Sequence, residues 1–148
     1  MSNNILLTLI SIFFYGSLSA QISFHQAIGG VGSENGADAI ELASGEFVVL
    51  GETMSSGAGD RDIYLVKKDN HGNTIWSKTY GTAHGNYGTS VLECENGDLF
   101  VTGYTLGGDA FGFSDLIFLR LDSNGDTLWT RTISGTGSDQ PVTAIRLN

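Results

Sequence analysis

With 148 residues, 41% of them hydrophobic, the chain is long enough for one domain with its own core and too apolar for a disordered segment. Its formal net charge of −9 repels phosphate backbones, which excludes nucleic acid as a natural partner and leaves divalent cations open. The same acidity suits a soluble extracellular protein.

The first element is an uncharged run of 11 residues, ILLTLISIFFY, at positions 5–15, followed by the small residues Gly16, Ser17, Ser19 and Ala20. The pattern reads as the apolar region and cleavage site of a secretory signal peptide over residues 1–20, with cleavage expected after Ala20. The run is too short to cross a bilayer core of about 30 Å as a helix. No membrane span is expected after cleavage, and the mature chain is expected to be secreted or held at the cell surface. No cysteine stands near the cleavage site, so lipid attachment there is not supported. Cys94 is the only cysteine. A disulfide within the chain is therefore excluded, although the expected compartment is oxidising.

Beyond the leader the chain repeats itself. Gly36, Glu41, Gly45, Gly51 and Thr53 recur 52 residues on as Gly88, Glu93, Gly97, Gly103 and Thr105. Asp62, Asp69, Gly72, Trp76 and Thr79 recur at a shift of 53 as Asp115, Asp122, Gly125, Trp129 and Thr132. The second copy thus carries one extra residue, between Thr105 and Asp115. So many coincidences of such residue types at one period mark a duplication.

Each copy predicts four short strands. In the first copy these are residues 37–43, 46–50, 62–68 and 74–80. The segment EFVVL at 46–50 is continuously apolar, the pattern of a strand covered on both faces. Ser44-Gly45 and Asn96-Gly97 mark hairpins between the first two strands of each copy; Asn-Gly signals a two-residue turn because both residues tolerate positive φ. No helical period occurs in residues 21–148. The repeat also extends outward. Phe24, Ile28 and Gly29 match Trp76, Tyr80 and Gly81, which predicts a stray fourth strand over 21–29. Ile145 and Leu147 match Ile40 and Leu42, which predicts a first strand in 135–148. Complete copies then span 30–81 and 82–134. Cys94 falls at the position of Leu42 and is expected in the core.

The segment DSNGDTLW, from Asp122 to Trp129, sets carboxylates and an amide around a glycine, as a calcium loop would. An EF-hand-type loop needs glycine at its sixth position and a bidentate carboxylate at its twelfth; here Gly125 is fourth and Ile133 twelfth. What the copies share is Asp-x-x-Gly-x-x-x-Trp. That is a turn in which Asp accepts backbone N–H groups and Gly takes a left-handed conformation, with Trp on the next strand.

Other candidate chemistry is sparse. His25, His71 and His84 fall in separate contexts, and no Gly-x-Ser-x-Gly elbow is present, so no catalytic residues are assigned and no enzyme is expected. The glycine-rich GGVGSENG and GAGD lead into no helix, so neither makes a phosphate cradle. No cofactor is assigned. Asp60 with Asp62, and Asp109 with Asp115, are the weak candidates for a calcium ion, with Asp62 and Asp115 doubling as turn acceptors. Asp109 with Phe111 and Phe113 is the one grouping of aromatics and acid that would suit a carbohydrate.

Taken together, GEFVVLGET, GAGDRDIYLVKKD and GNTIWSKTYG resemble the secreted bacterial β-propeller repeat of about 50–55 residues, found in large exported proteins that often carry a type IX sorting domain. The resemblance covers residues 21–148 and implies an all-β chain of two complete four-stranded blades plus a stray strand at each end. It transfers no catalytic motif. Closed propellers contain about four to eight blades. Three arrangements stay open: a piece of a longer product completed by other blades, copies that associate into a ring, or an open stack. The function expected is a non-catalytic extracellular module for binding or scaffolding. The alternatives are a carbohydrate- or calcium-binding propeller and part of an extracellular enzyme.

Overall fold

A computed structural model describes residues 26–107 and 113–145, which form eight β-strands and no helix. The strands are β1 (Glu34–Glu41), β2 (Phe47–Thr53), β3 (Asp62–Lys68), β4 (Thr74–Tyr80), β5 (Asn86–Glu93), β6 (Leu99–Leu106), β7 (Ser114–Leu121) and β8 (Thr127–Ile133). They make two four-stranded antiparallel sheets in the orders β1-β2-β3-β4 and β5-β6-β7-β8. The arrangement is not closed. The signal peptide expected over 1–20 lies outside the described residues, as do Phe24 and Leu147.

The two sheets reproduce each other in detail. Both have a register shift early in the first strand, at Gly36/Asp38 and Gly88/Ser90, and another at Lys67/Lys68 and Arg120/Leu121. β3 and β4 occupy the expected positions, but β1 starts before residue 37 and β2 runs past Leu50 to Thr53. The ladder continues through Gly36↔Gly51 to Glu34↔Thr53. Glycine weakens a strand pattern in sequence, yet here it is what lets the strands close up. A Cβ on Gly51 would stand 2.3 Å from the Asn35 carbonyl oxygen, and one on Gly103 would stand 2.2 Å from that of Tyr87.

The hairpins differ from the expected two-residue form. In the turns at Gly45, Gly72, Gly97 and Gly125 the glycine alone has positive φ (77–85°), and among the described residues no other residue type does. Gly45 N donates to Leu42 O, and Leu42 N donates to Glu46 O; the other three hairpins repeat this pair of bonds. Each is a turn followed by a left-handed glycine bulge. Ser44 and Asn96 therefore keep ordinary backbone angles, and all four hairpins are one device used twice per sheet.

Alternation along the strands gives each sheet two faces. The face carrying the tryptophan is called the front here. On the first sheet the front holds Ile40, Leu42, Val48, Leu50, Ile63, Leu65, Trp76 and Tyr80. It packs on the rear of the second sheet, where Val91, Leu99, Val101, Ile117, Leu119 and Leu121 are buried in the same core. The EFVVL strand is thus sealed on one face only. Val48 and Leu50 are fully buried, whereas Phe47 and Val49 on the rear are half-buried.

Cys94 matches Leu42 in position but not in environment: it is half-buried, because it sits on the front of the second sheet, which no further sheet covers. The stray strands do not form in the described parts of their ranges either, since residues 26–29 and 135–145 have no ladder partner and carry no strand. The 26–33 segment instead lies on the rear of the first sheet. There the Lys68 ammonium, buried at the position of Leu121, donates to Gln26 Oε1, Gly72 O and Thr74 Oγ1.

Asp122 answers the question raised by DSNGDTLW. Its Oδ1 accepts the amides of Asn124 (2.9 Å) and Asp126 (2.8 Å), as Asp69 Oδ1 accepts those of His71 and Asn73. The side-chain amide of Asn73, and then these backbone bonds, hold the Asp69 carboxyl below the usual range. Asp122→Ala removes both acceptor bonds from an exposed turn. It is expected to cost about 1 kcal/mol, read from the urea midpoint.

Candidate binding face

The interface between the sheets shows how a front face is meant to be covered. β4 lies against the turn at 122–126: the Tyr80 hydroxyl donates to Gly125 O (2.7 Å), and Lys78 pairs with Asp126 at 2.6 Å. Trp76 closes over Gly125, where a Cβ would lie 3.0 Å from its ring. At the other edge of the sheet, Asp38 Oδ2 accepts Val91 N (2.9 Å) and the Ser90 hydroxyl (3.1 Å). Glu93 Oε2 accepts Ala43 N. In between, Leu50 fills the notch left by Gly88, 2.6 Å from where a Cβ would be.

Burial pushes the Tyr80 hydroxyl well above its ordinary value of 10, and the carboxylates of Asp126 and Asp122 push it the same way. The folded chain therefore favours the neutral phenol. That contribution to stability is complete below pH 10 and is lost as pH rises above it. Denaturation midpoints are expected to fall above about pH 10. Tyr80→Phe is expected to flatten that alkaline fall while losing about 1 kcal/mol at neutral pH through the missing bond to Gly125.

The same face of the second sheet has no sheet over it. Trp129 and Ile133, which stand where Trp76 and Tyr80 do, are 40% and 56% exposed, and every residue of β8 is exposed. Phe100 stacks on Phe118 (6.0 Å between centroids) and meets Trp129 at 6.1 Å. The Arg131 guanidinium lies 5.7 Å from the Trp129 ring centre, within range of a cation–π contact. A groove of about 510 Å³ runs beside these rings, lined by Leu92, Phe100, Phe118, Arg120, Thr143 and Ile145 among others. The result is an aromatic surface with two guanidinium groups. Sequence reasoning passed over it because each residue looks like an ordinary strand position. The signal that finds it is the repeat: these positions match the covered front of the first sheet.

The residues singled out from sequence lie elsewhere. Asp62 is fully buried at the start of β3, and its Oδ2 accepts Gly59 N (3.1 Å). Its Oδ1 has no hydrogen-bond partner, and neither does Oδ1 of the buried Asn86. Both side chains border Gly81, where a Cβ would meet Asp62 Oδ1 and Asn86 Nδ2. Asp60 is exposed in the loop before β3, while Asp115, the second residue of β7 in the other sheet, is 6% exposed. Phe113, half-buried, directly precedes β7. Asp109 and Phe111 lie outside the described residues. Among the described residues no three His, Cys, Asp or Glu side chains gather as a metal group, and no helix is long and apolar enough to cross a membrane.

No family model matches the chain, and no curated protein matches it.

Proposed function

We propose that this chain is a non-catalytic, secreted or cell-surface module of the β-propeller repeat type. On this reading its two sheets are consecutive blades, and its work is to stack and to present binding surface. The observation that carries the reading is the repetition of environment as well as sequence. Bulges, hairpins and the cross-strand pairs Lys67–Glu46 (2.7 Å) and Arg120–Asp98 (3.0 Å) recur at matching positions. The faces recur too: residues buried between the sheets have counterparts on each outer surface. Such a module grows by addition of units, each contacting only its neighbours.

A second reading, a cation-binding propeller, draws support from the buried and unpartnered Oδ1 atoms of Asp62 and Asn86. A buried carboxylate without a counter-charge is costly, and oxygen donors suit calcium. Thermal melts with and without calcium separate the two readings. The scaffold reading expects the same melting temperature in both. Saturable stabilisation, reaching about 2.7 kcal/mol at a hundredfold excess over Kd and lost in Asp62→Asn, would establish the second. Turnover in a panel of glycoside and peptide hydrolase substrates would overturn both.

A further inference from the structure

The uncovered front of the second sheet has a partner whose shape the molecule itself supplies. We propose that it docks a second copy of this chain head to tail, receiving the rear of that copy's β1–β4 sheet; this rests on the stacked-repeat reading above.

Three observations lead there. First, the receiving side matches the one already occupied within the chain. Phe100, Phe118, Trp129 and Ile133 take the places of Val48, Leu65, Trp76 and Tyr80, and Arg131 takes that of Lys78. Second, the rear of the β1–β4 sheet is itself incompletely covered. Phe47, Val49 and Tyr64 are half-buried, whereas their counterparts Leu99, Val101 and Ile117 are buried between the sheets. Gly36 carries an open notch, with nothing within 4 Å of an added Cβ, whereas its counterpart Gly88 is filled by Leu50. In the docked pair Thr102 of one copy, at the position of Leu50, meets that notch.

Third, the polar groups fit across the same junction. Arg131 faces the turn at 69–73, where Asp69 supplies the negative charge that Asp126 supplies to Lys78.

One segment already imitates the incoming copy. Asp139 N donates to Ser114 O (2.8 Å), as Asn86 N does to Arg61 O (2.8 Å) at the matching positions. The Thr143 hydroxyl lies 3.4 Å from that of Ser90. Residues 139–145 thus trace the path of a next first strand, but loosely: Val142 and Ile145 are 87% and 74% exposed. β1 of the second copy takes this place and displaces the segment, and that copy's own residues 26–33, which lie on the rear of its first sheet beside Gly36, give way to the incoming face. Because the two faces are different patches, the contact is heterologous, and repetition gives a ring if the rotation closes or a chain of copies if it does not.

The test is sedimentation velocity of the purified chain across the micromolar range, with two variants that each spoil one face. Gly36→Leu fills the notch in a position open to solvent, and Trp129→Asp spoils the receiving surface. The wild-type chain is expected to associate, and each variant alone to stay monomeric, with apparent Kd raised about tenfold or more. An equimolar mixture of the two variants is expected to form a dimer and stop there, since one sound face remains on each. Should Trp129→Asp melt early, Arg131→Glu replaces it. A wild-type monomer with an intact β spectrum and cooperative melt overturns the docking while leaving the stacked-repeat reading in place. Loss of that spectrum and melt in the wild type overturns both. Variants that assemble as the wild type does, or a mixture that stays monomeric, overturn the docking geometry.

Discussion

Leu65→Ala lowers the stability of the folded chain by about 3 kcal/mol, within the usual range for emptying a fully buried leucine site. Leu65 is 0% exposed and pairs with Leu50, also 0% exposed, at the centre of the inter-sheet core. β3 is hydrogen-bonded on both sides, by β2 and β4, so the backbone has little freedom to collapse into the space. The lost methyl groups and the residual cavity both count. The comparison that gives the number meaning is Phe118→Ala at the matching position. Phe118 is larger, but its face carries no further sheet, so its truncation is expected to cost less, about 1–2 kcal/mol. Urea denaturation followed by tryptophan fluorescence reads both, and an equal or reversed order would contradict the assignment of covered and uncovered faces.

Gly103→Ala is the second large effect, at about 3 kcal/mol. The added methyl would stand 2.2 Å from the Tyr87 carbonyl oxygen. That oxygen belongs to the backbone of β5, so no side-chain rotation relieves the contact. Either β5 and β6 separate locally, losing ladder bonds, or the bulge at Gly88/Ser90 shifts. Gly36→Ala provides the contrast: it adds the same methyl into open space and is expected to change stability by less than about 0.5 kcal/mol. A thermal melt of the two variants side by side is enough to check the difference.

Much of this fold can be read from the residues, and the reason is the duplication. Trp76 and Trp129, or Gly51 and Gly103, are informative because each appears twice in one setting; a single copy would leave them as unremarkable strand residues. β3 and β4 were legible to the residue, since Asp62 and Thr74 open clean apolar or alternating runs. β1 and β2 were read too short because their ends cross glycines, and the close approach of backbones that demands a glycine leaves no local mark in sequence. The hairpin form was misread for a similar reason. Asn96-Gly97 permits positive φ at both residues, but the bonds between Cys94 and Asp98 fix a bulge that needs it only at the glycine.

Cys94 shows a different limit. Its equivalence to Leu42 was visible, but whether a face is covered depends on which sheets are present, and strand periodicity carries no such information. The candidate face was hidden by the same fact. Phe100, Phe118 and Trp129 are spread over three strands, and only the register of Phe100↔Arg120 and Arg120↔Trp129 brings them side by side. Asp62 was singled out for its charge, yet what distinguishes it is total burial, which no property of its neighbours in sequence announces.

Among the described residues, every ladder joins strands adjacent along the chain. Ordering therefore requires closure of short loops only, the longest described being that between Thr53 and Asp62, and loop-closure entropy stays small at each step. Apart from the contacts of residues 26–33 with the first sheet, non-local contacts arise when one finished sheet meets the next. Such topology favours rapid acquisition of structure, hairpin by hairpin, with the two halves able to form in parallel. A chain built this way gains length without gaining knots or slow crossings, and each added unit inherits a ready surface on which to condense.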